Sequence, residues 1–173
     1  MIKPENTTER VLGVDPGFGR VGWGVVEKRD GDWHHIAHGC IETDKKDKFI
    51  DRIKEIHTDL KKIIIKYQPT NSAVEDLFFY KNVKTAIAVG QARGVILLTL
   101  SQAGLPVDEF TPLQVKQSIT GYGRAEKGQM QKIVQVHLKM KEKITQDDAA
   151  DALAVALTCA YSLNFRKKIG NKR

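Results

Sequence analysis

The sequence predicts an α/β fold, a five-stranded mixed sheet flanked by helices, on three observations. The first forty or so residues hold three short runs of β-branched and aliphatic residues separated by turn signals, before any helical periodicity begins. From Lys45 onward, stretches with apolar residues three and four apart alternate with two more short apolar runs. At 173 residues and 41% hydrophobic content, the chain has enough material for one sizeable core and too little for two domains. Strands followed by helices alternating with strands is the pattern of a sheet with parallel and antiparallel parts.

Each element has its own warrant. Residues 1–8 are polar and contain a proline, which reads as a loose tail. Arg10 to Asp15 is a short apolar strand that stops at Pro16-Gly17. Val21 to Glu27 and, past the Asp30-Gly31 turn, Trp33 to Ile41 continue it as an antiparallel meander. From Lys45 to Tyr67, Phe49, Ile50, Ile53, Ile56, Leu60, Ile63 and Ile64 recur at helical spacing until Gln68-Pro69-Thr70 breaks the run. Ser72 to Leu77 is a short strand carrying Glu75 and Asp76 near its end. Lys81 to Ala103 is the longest helix, closed by Gly104 and Pro106. Gly90 and Gly94 on it share a face that admits a neighbouring backbone, from this chain or from a second copy. Leu105 to Phe110 is the fifth strand. Thr111-Pro112-Leu113-Gln114 then supplies a cap, a first-turn proline and a capping-box Gln. After a break at Thr120 to Arg124, a basic amphipathic helix starts near Glu126 with Met130, Ile133, Val134 and Leu138 inward. A second break at Lys141 to Ile144 leads to Thr145-Gln146-Asp147-Asp148, which opens an alanine-rich helix from Ala149 to Leu163. Residues 165–173 read as a basic tail, leaving 9–164 as a single domain.

Lys and Arg number 28 against 21 Asp and Glu, a net charge of +7 that favours a polyanionic partner, nucleic acid first. No uninterrupted apolar stretch reaches the roughly 18 residues needed to span a bilayer, and the N-terminus lacks a signal peptide's apolar segment. A cytoplasmic location without a membrane partner is the expectation. Cys40 and Cys159 have no zinc-type spacing, so reduced thiols are expected. None of the five histidines shows a zincin-like spacing either.

The acids carry the chemistry. Asp15 alone reads first as an ordinary turn residue ahead of Pro-Gly. Glu75 ends a second strand, and Asp148 and Asp151, three apart, share one face of the last helix. Asp147 and Asp148 also suit the positive end of a helix dipole. Asp151, among alanines, has no such role, and an ionised carboxylate there is costly without a cation or hydrogen bonds. Acids gathered together repel one another unless metal or protons neutralise them, and an all-oxygen set suits Mg²⁺ or Mn²⁺. Two such ions would clamp a phosphodiester between attacking water and leaving oxygen, which is phosphodiester hydrolysis.

The segments Gly13-Val14-Asp15-Pro16-Gly17, Val74-Glu75-Asp76-Leu77-Phe78, Gly90-Gln91-Ala92-Arg93-Gly94 and Asp148-Ala149-Ala150-Asp151-Ala152-Leu153, in that order, closely resemble the RuvC family of Holliday-junction resolvases, from about Arg10 to Tyr161. The resemblance implies a ribonuclease-H-like fold, a homodimer, and cleavage of four-way DNA junctions in recombination and repair. It also implies two Mg²⁺ ions, replaceable by Mn²⁺, held by Asp15, Glu75, Asp148 and Asp151. Asp147 lies about 100° round the helix from Asp148 and is set aside. By the same resemblance Phe78 wedges into the junction, and Lys116 and Lys127 lie near the cut phosphate. Lys81, Lys84 and Arg124 complete the DNA-binding set. Aromatics beside lysines after Glu75 also suit base stacking and phosphate contact. The RuvA and RuvB branch-migration proteins are the implied partners. Two alternatives stay open: a ribonuclease H acting on RNA:DNA hybrids, and an actin-like-fold ATP-binding protein, for which a second half would be needed. Gly19 and Gly22 are expected to keep the backbone low beside Asp15 so that DNA can approach.

Overall fold

A computed structural model describes residues 8–76, 83–123 and 126–170, together with the backbone but not the side chains of Val83, Lys84 and Lys127. The sheet forms from β1 (Arg10–Asp15), β2 (Arg20–Arg29), β3 (Asp32–Glu42), β4 (Asn71–Glu75) and β5 (Val107–Phe110) in the order β3-β2-β1-β4-β5. The first three strands pair antiparallel as a meander, and β4 joins β1, then β5 joins β4, in parallel. The alternation of side chains along β1 divides the core: Leu12 and Val14 belong to one cluster and Val11 to the other.

On the Leu12 side lie α1 (Phe49–Tyr67) and α2 (Val83–Gln102), contributing Ile56, Leu60, Ile64, Ala92, Ile96 and Leu100. On the Val11 side lie α3 (Pro112–Thr120), α4 (Lys127–His137) and α5 (Asp147–Gly170). The expected capping box holds α3: the Thr111 hydroxyl accepts from the Gln114 amide while the Gln114 side chain accepts from the Thr111 amide. The α5 helix is buried from Ala152 to Ala160 without a break, as its alanine-rich run demands.

Small residues let α5 lie directly on the sheet. A Cβ at Gly13 would sit 2.2 Å from the Ala152 carbonyl oxygen, and one at Gly22 would sit 1.9 Å from that of Asp148. The space beneath Gly22 therefore belongs to α5, which corrects the expectation that it clears a path for DNA. A Cβ at Gly19 meets Arg52 only at an ordinary 3.7 Å, so close approach does not require glycine there.

Three further differences have physical causes. The first helix begins at Phe49 rather than Lys45, because the Asp44 carboxylate accepts the Lys46 amide in a turn. The basic segment expected as a tail from residue 165 is helical through Gly170, with Arg166 paired to Asp108 at 3.1 Å and Lys167 to Glu9 at 2.8 Å. A register shift between β2 and β3 skips Ile36, so His35 and His38 share a face and their ring nitrogens approach to 2.7 Å.

Candidate active site

The register of the sheet positions the first two acids. Val14 pairs with Val74, so Asp15 and Glu75 follow side by side at the C-terminal edge of β1 and β4. By alternation both turn toward the α5 layer. Asp15 is also opposite Gly22 across β2, and Gly22 rests on the Asp148 backbone at the start of α5. Asp148 thereby reaches the same edge from above. One turn further along α5, Asp151 lines a cavity of about 250 Å³ with Glu75, Lys116 and Met130. Asp15, Glu75, Asp148 and Asp151 are all partly buried.

Asp147 points elsewhere: it is exposed and accepts a 2.7 Å hydrogen bond from Gln131 of α4. Among the described residues, no three Asp, Glu, His or Cys side chains stand close enough to hold one ion. The donor chemistry fits Mg²⁺ or Mn²⁺: every candidate ligand is a carboxylate oxygen on a strand end or a packed helix. A cation already stands at one of them, since Arg20 Nη1 lies 3.6 Å from Asp148 Oδ2.

Lys116, in α3, faces the cavity that Glu75 and Asp151 share. Lys84 and Lys127 lie in the first turns of α2 and α4, and the positions of their side chains are outside what is described. Phe78, Lys81 and Arg124 fall outside the described residues altogether.

Two features escaped the sequence reading. Arg20, at the start of β2, donates through Nε at 3.2 Å and Nη2 at 2.9 Å to Glu42 Oε1 while facing Asp148. The hydrogen bond to Glu42, then the charges of Glu42 and Asp148, hold its guanidinium above the usual arginine range. Its signal was alternation, because Arg20 and Gly22 share the face that meets α5. Arg93 of α2 pairs with Asp76 at 3.2 Å and with Glu109, and its Nε donates to the Glu75 carbonyl at 3.4 Å. It ties β4, β5 and α2 together immediately behind Glu75.

Neither cysteine belongs to this chemistry: burial pushes the Cys159 thiol up to about 12. Burial, followed by the Asp148 charge, also raises that of Cys40.

Strand ends that deliver acids beneath a helix, on a sheet of this order, define the class of ribonuclease-H-like nucleases. The yeast mitochondrial Holliday junction resolvase Ydc2 shares the fold, with a TM-score of 0.63 at 13% identity over 96% of this chain and 87% of that one. Residues 11–159 match the family described as crossover junction endodeoxyribonuclease RuvC. Proteins of that name from Halothermothrix orenii and Petrotoga mobilis are 52% and 50% identical, covering 94% and 93% of this chain and 98% and 97% of their own. The Thermus thermophilus RuvC structure in complex with a Holliday junction substrate superposes with a TM-score of 0.85 at 33% identity, over 91% of this chain and 96% of that one. The chain belongs to the RuvC family of crossover junction endodeoxyribonucleases.

Proposed function

We propose that this chain resolves four-way DNA junctions by paired hydrolytic cuts, using Mg²⁺ held by Asp15, Glu75, Asp148 and Asp151, in recombination and repair. The observation that carries this reading is the arrival of four acids from two neighbouring strand ends and one helix at a single sheet edge, beside a cavity that also presents Lys116. When bound there, divalent metal supplies a water acidic enough to attack phosphorus and a positive charge for the departing oxygen. The chain's own contribution is placement. The sheet fixes Asp15 and Glu75, the buried α5 fixes Asp148 and Asp151, and Lys116 offers an ammonium to a phosphate oxygen in the cavity. Phe78, Lys81, Lys84, Arg124 and Lys127 extend the DNA surface in this reading. The protein acts in the cytoplasm with RuvA and RuvB.

The outer face of α2 supports a homodimer in this reading. Ile87 and Leu98 are 58% and 56% exposed on that helix, and a Cβ at Gly90 or Gly94 would meet nothing within 4 Å. The two glycines are not filled by internal packing, so their face remains open to a second copy. Two copies set two active sites against the two-fold symmetry of a junction, giving a shape preference that phosphate contact alone cannot supply. The test is incubation with a synthetic four-way junction, a plain duplex and an RNA:DNA hybrid, each with and without Mg²⁺. Symmetric nicks confined to the junction and to Mg²⁺ support the proposal. Cleavage of the hybrid alone would replace it with a ribonuclease H activity.

A further inference from the structure

We propose that Arg20 is a displaceable cation. It holds Asp148 while metal is absent and passes one arm of its guanidinium to the DNA backbone once metal arrives; this rests on the metal reading above.

Arg20 and Gly22 share the face of β2 that meets α5, and Gly22 sits on the Asp148 backbone, so an arginine two residues earlier must pass over the Asp148 side chain. Its planar fork is split between two acids. Nε and Nη2 both donate to Glu42 Oε1, at 3.2 and 2.9 Å, across the register pair Arg20–Glu42 of β2 and β3. Nη1 is left to face Asp148 Oδ2 at 3.6 Å, too long for a hydrogen bond and short enough for charge attraction.

The two arms therefore differ in kind. Glu42 anchors the guanidinium with hydrogen bonds that do not depend on the acid cluster, whereas Asp148 holds Nη1 by charge alone. A dication on Asp148 cancels the negative charge that Nη1 meets, because two dications on the four carboxylates of the proposed site leave it neutral. The Glu42 arm remains and the Nη1 arm is released.

The place it leaves for is present. Arg20 is 55% exposed by side chain and lines an open cavity of about 510 Å³ with Gly17, Phe18 and Gly19 on one side and Thr85 and Val89 of α2 on the other. A guanidinium N–H directed into a cleft beside the cutting site suits a phosphate oxygen, for which arginine's fork is well shaped.

The experiment is Mn²⁺ titration of the DNA-free protein, read from the electron-paramagnetic-resonance signal of free Mn²⁺, with junction cleavage measured separately at saturating Mn²⁺. Arg20→Gln binds Mn²⁺ about three- to tenfold more tightly, because no side chain competes for Asp148. It nevertheless cuts several-fold more slowly when saturated, because the phosphate contact is gone. Glu42→Ala, which removes the acceptor of both anchoring hydrogen bonds and leaves the guanidinium to Asp148, binds Mn²⁺ more weakly. Lys139→Gln removes the same charge at the far end of the β2–β3 hairpin, where Lys139 pairs with Asp32, and leaves affinity unchanged. Unchanged or weaker Mn²⁺ binding by Arg20→Gln, with wild-type binding intact, overturns this proposal alone. Tighter binding with undiminished cleavage overturns the transfer to phosphate. Failure of the wild-type protein to bind Mn²⁺ overturns the metal reading and this proposal with it.

Discussion

Gly22 decides how close Asp148 comes to Asp15. It pairs with Asp15 across the sheet, and the Asp148 carbonyl fills the space its side chain would need, at 1.9 Å from an added Cβ. Gly22→Ala must lift the start of α5 away from β2, which should cost about 2 to 4 kcal/mol of stability, at the severe end for a single methyl. Denaturant unfolding checks the stability, and junction cleavage should fall further than the lost folded fraction explains. Asp15 and Glu75 were legible because each ends a strand, and Asp148 with Asp151 because their spacing puts them on one helix face. Arg20 was not, because its partners lie 22 and 128 positions away in sequence and only the folded register joins them. The His35–His38 pair was hidden for a similar reason. Three residues apart on a strand they should face opposite ways, and only the register shift at Ile36 brings them together. Burial lowers the affinity of both rings for protons, and for His35 the neighbouring His38 lowers it further. The unfolded imidazoles, near 6.5, therefore take up protons before the folded ones, so acid favours unfolding. Stability from this pair is full above pH 6.5 and declines as pH falls through the lowered folded values. Thermal melting from pH 7.5 to 5.5 should show that slope, and the double variant His35→Gln, His38→Gln should flatten it.

At the scale of elements, one side chain joins β4, β5 and α2. Arg93 is 17% exposed by side chain, pairs with Asp76 and Glu109, and holds the Glu75 carbonyl. Removing it takes the guanidinium from between two half-exposed carboxylates and the Glu75 carbonyl, so Arg93→Ala should cost about 1 kcal/mol and blur the position of Glu75. Cleavage at saturating metal should drop at least tenfold while junction affinity, read by gel shift, changes little. Strand positions and helix faces followed from periodicity because burial on two sides of a sheet leaves strong patterns. The ends were less legible: Lys45 to Lys48 have helix-compatible composition, but the Asp44 turn captures them. The Arg166-Lys167-Lys168 run reads as a solvated tail until Asp108 and Glu9, far away in sequence, supply its counter-charges.

For the whole molecule, the net charge of +7 draws DNA but gives no shape, since any duplex offers phosphates. In the proposed dimer, selectivity for a junction comes from two active sites held at a fixed spacing across the open face of α2. Leu98→Glu places a charge on that face at a position already 56% exposed, so monomer stability should shift by less than about 0.5 kcal/mol. Sedimentation should show the parent as the proposed dimer and the variant as a monomer, and paired symmetric cutting should be lost with it.

The measurement that bears most directly on the central claim is cleavage and binding of a four-way junction by Asp15→Asn in Mg²⁺. The change keeps the shape of the side chain and removes the charge on which the proposed metal site depends. Cutting should be abolished, a loss of about a thousandfold or more, while the junction is still bound. Asp15→Asn that still nicks the junction at near the parent rate would contradict the claim.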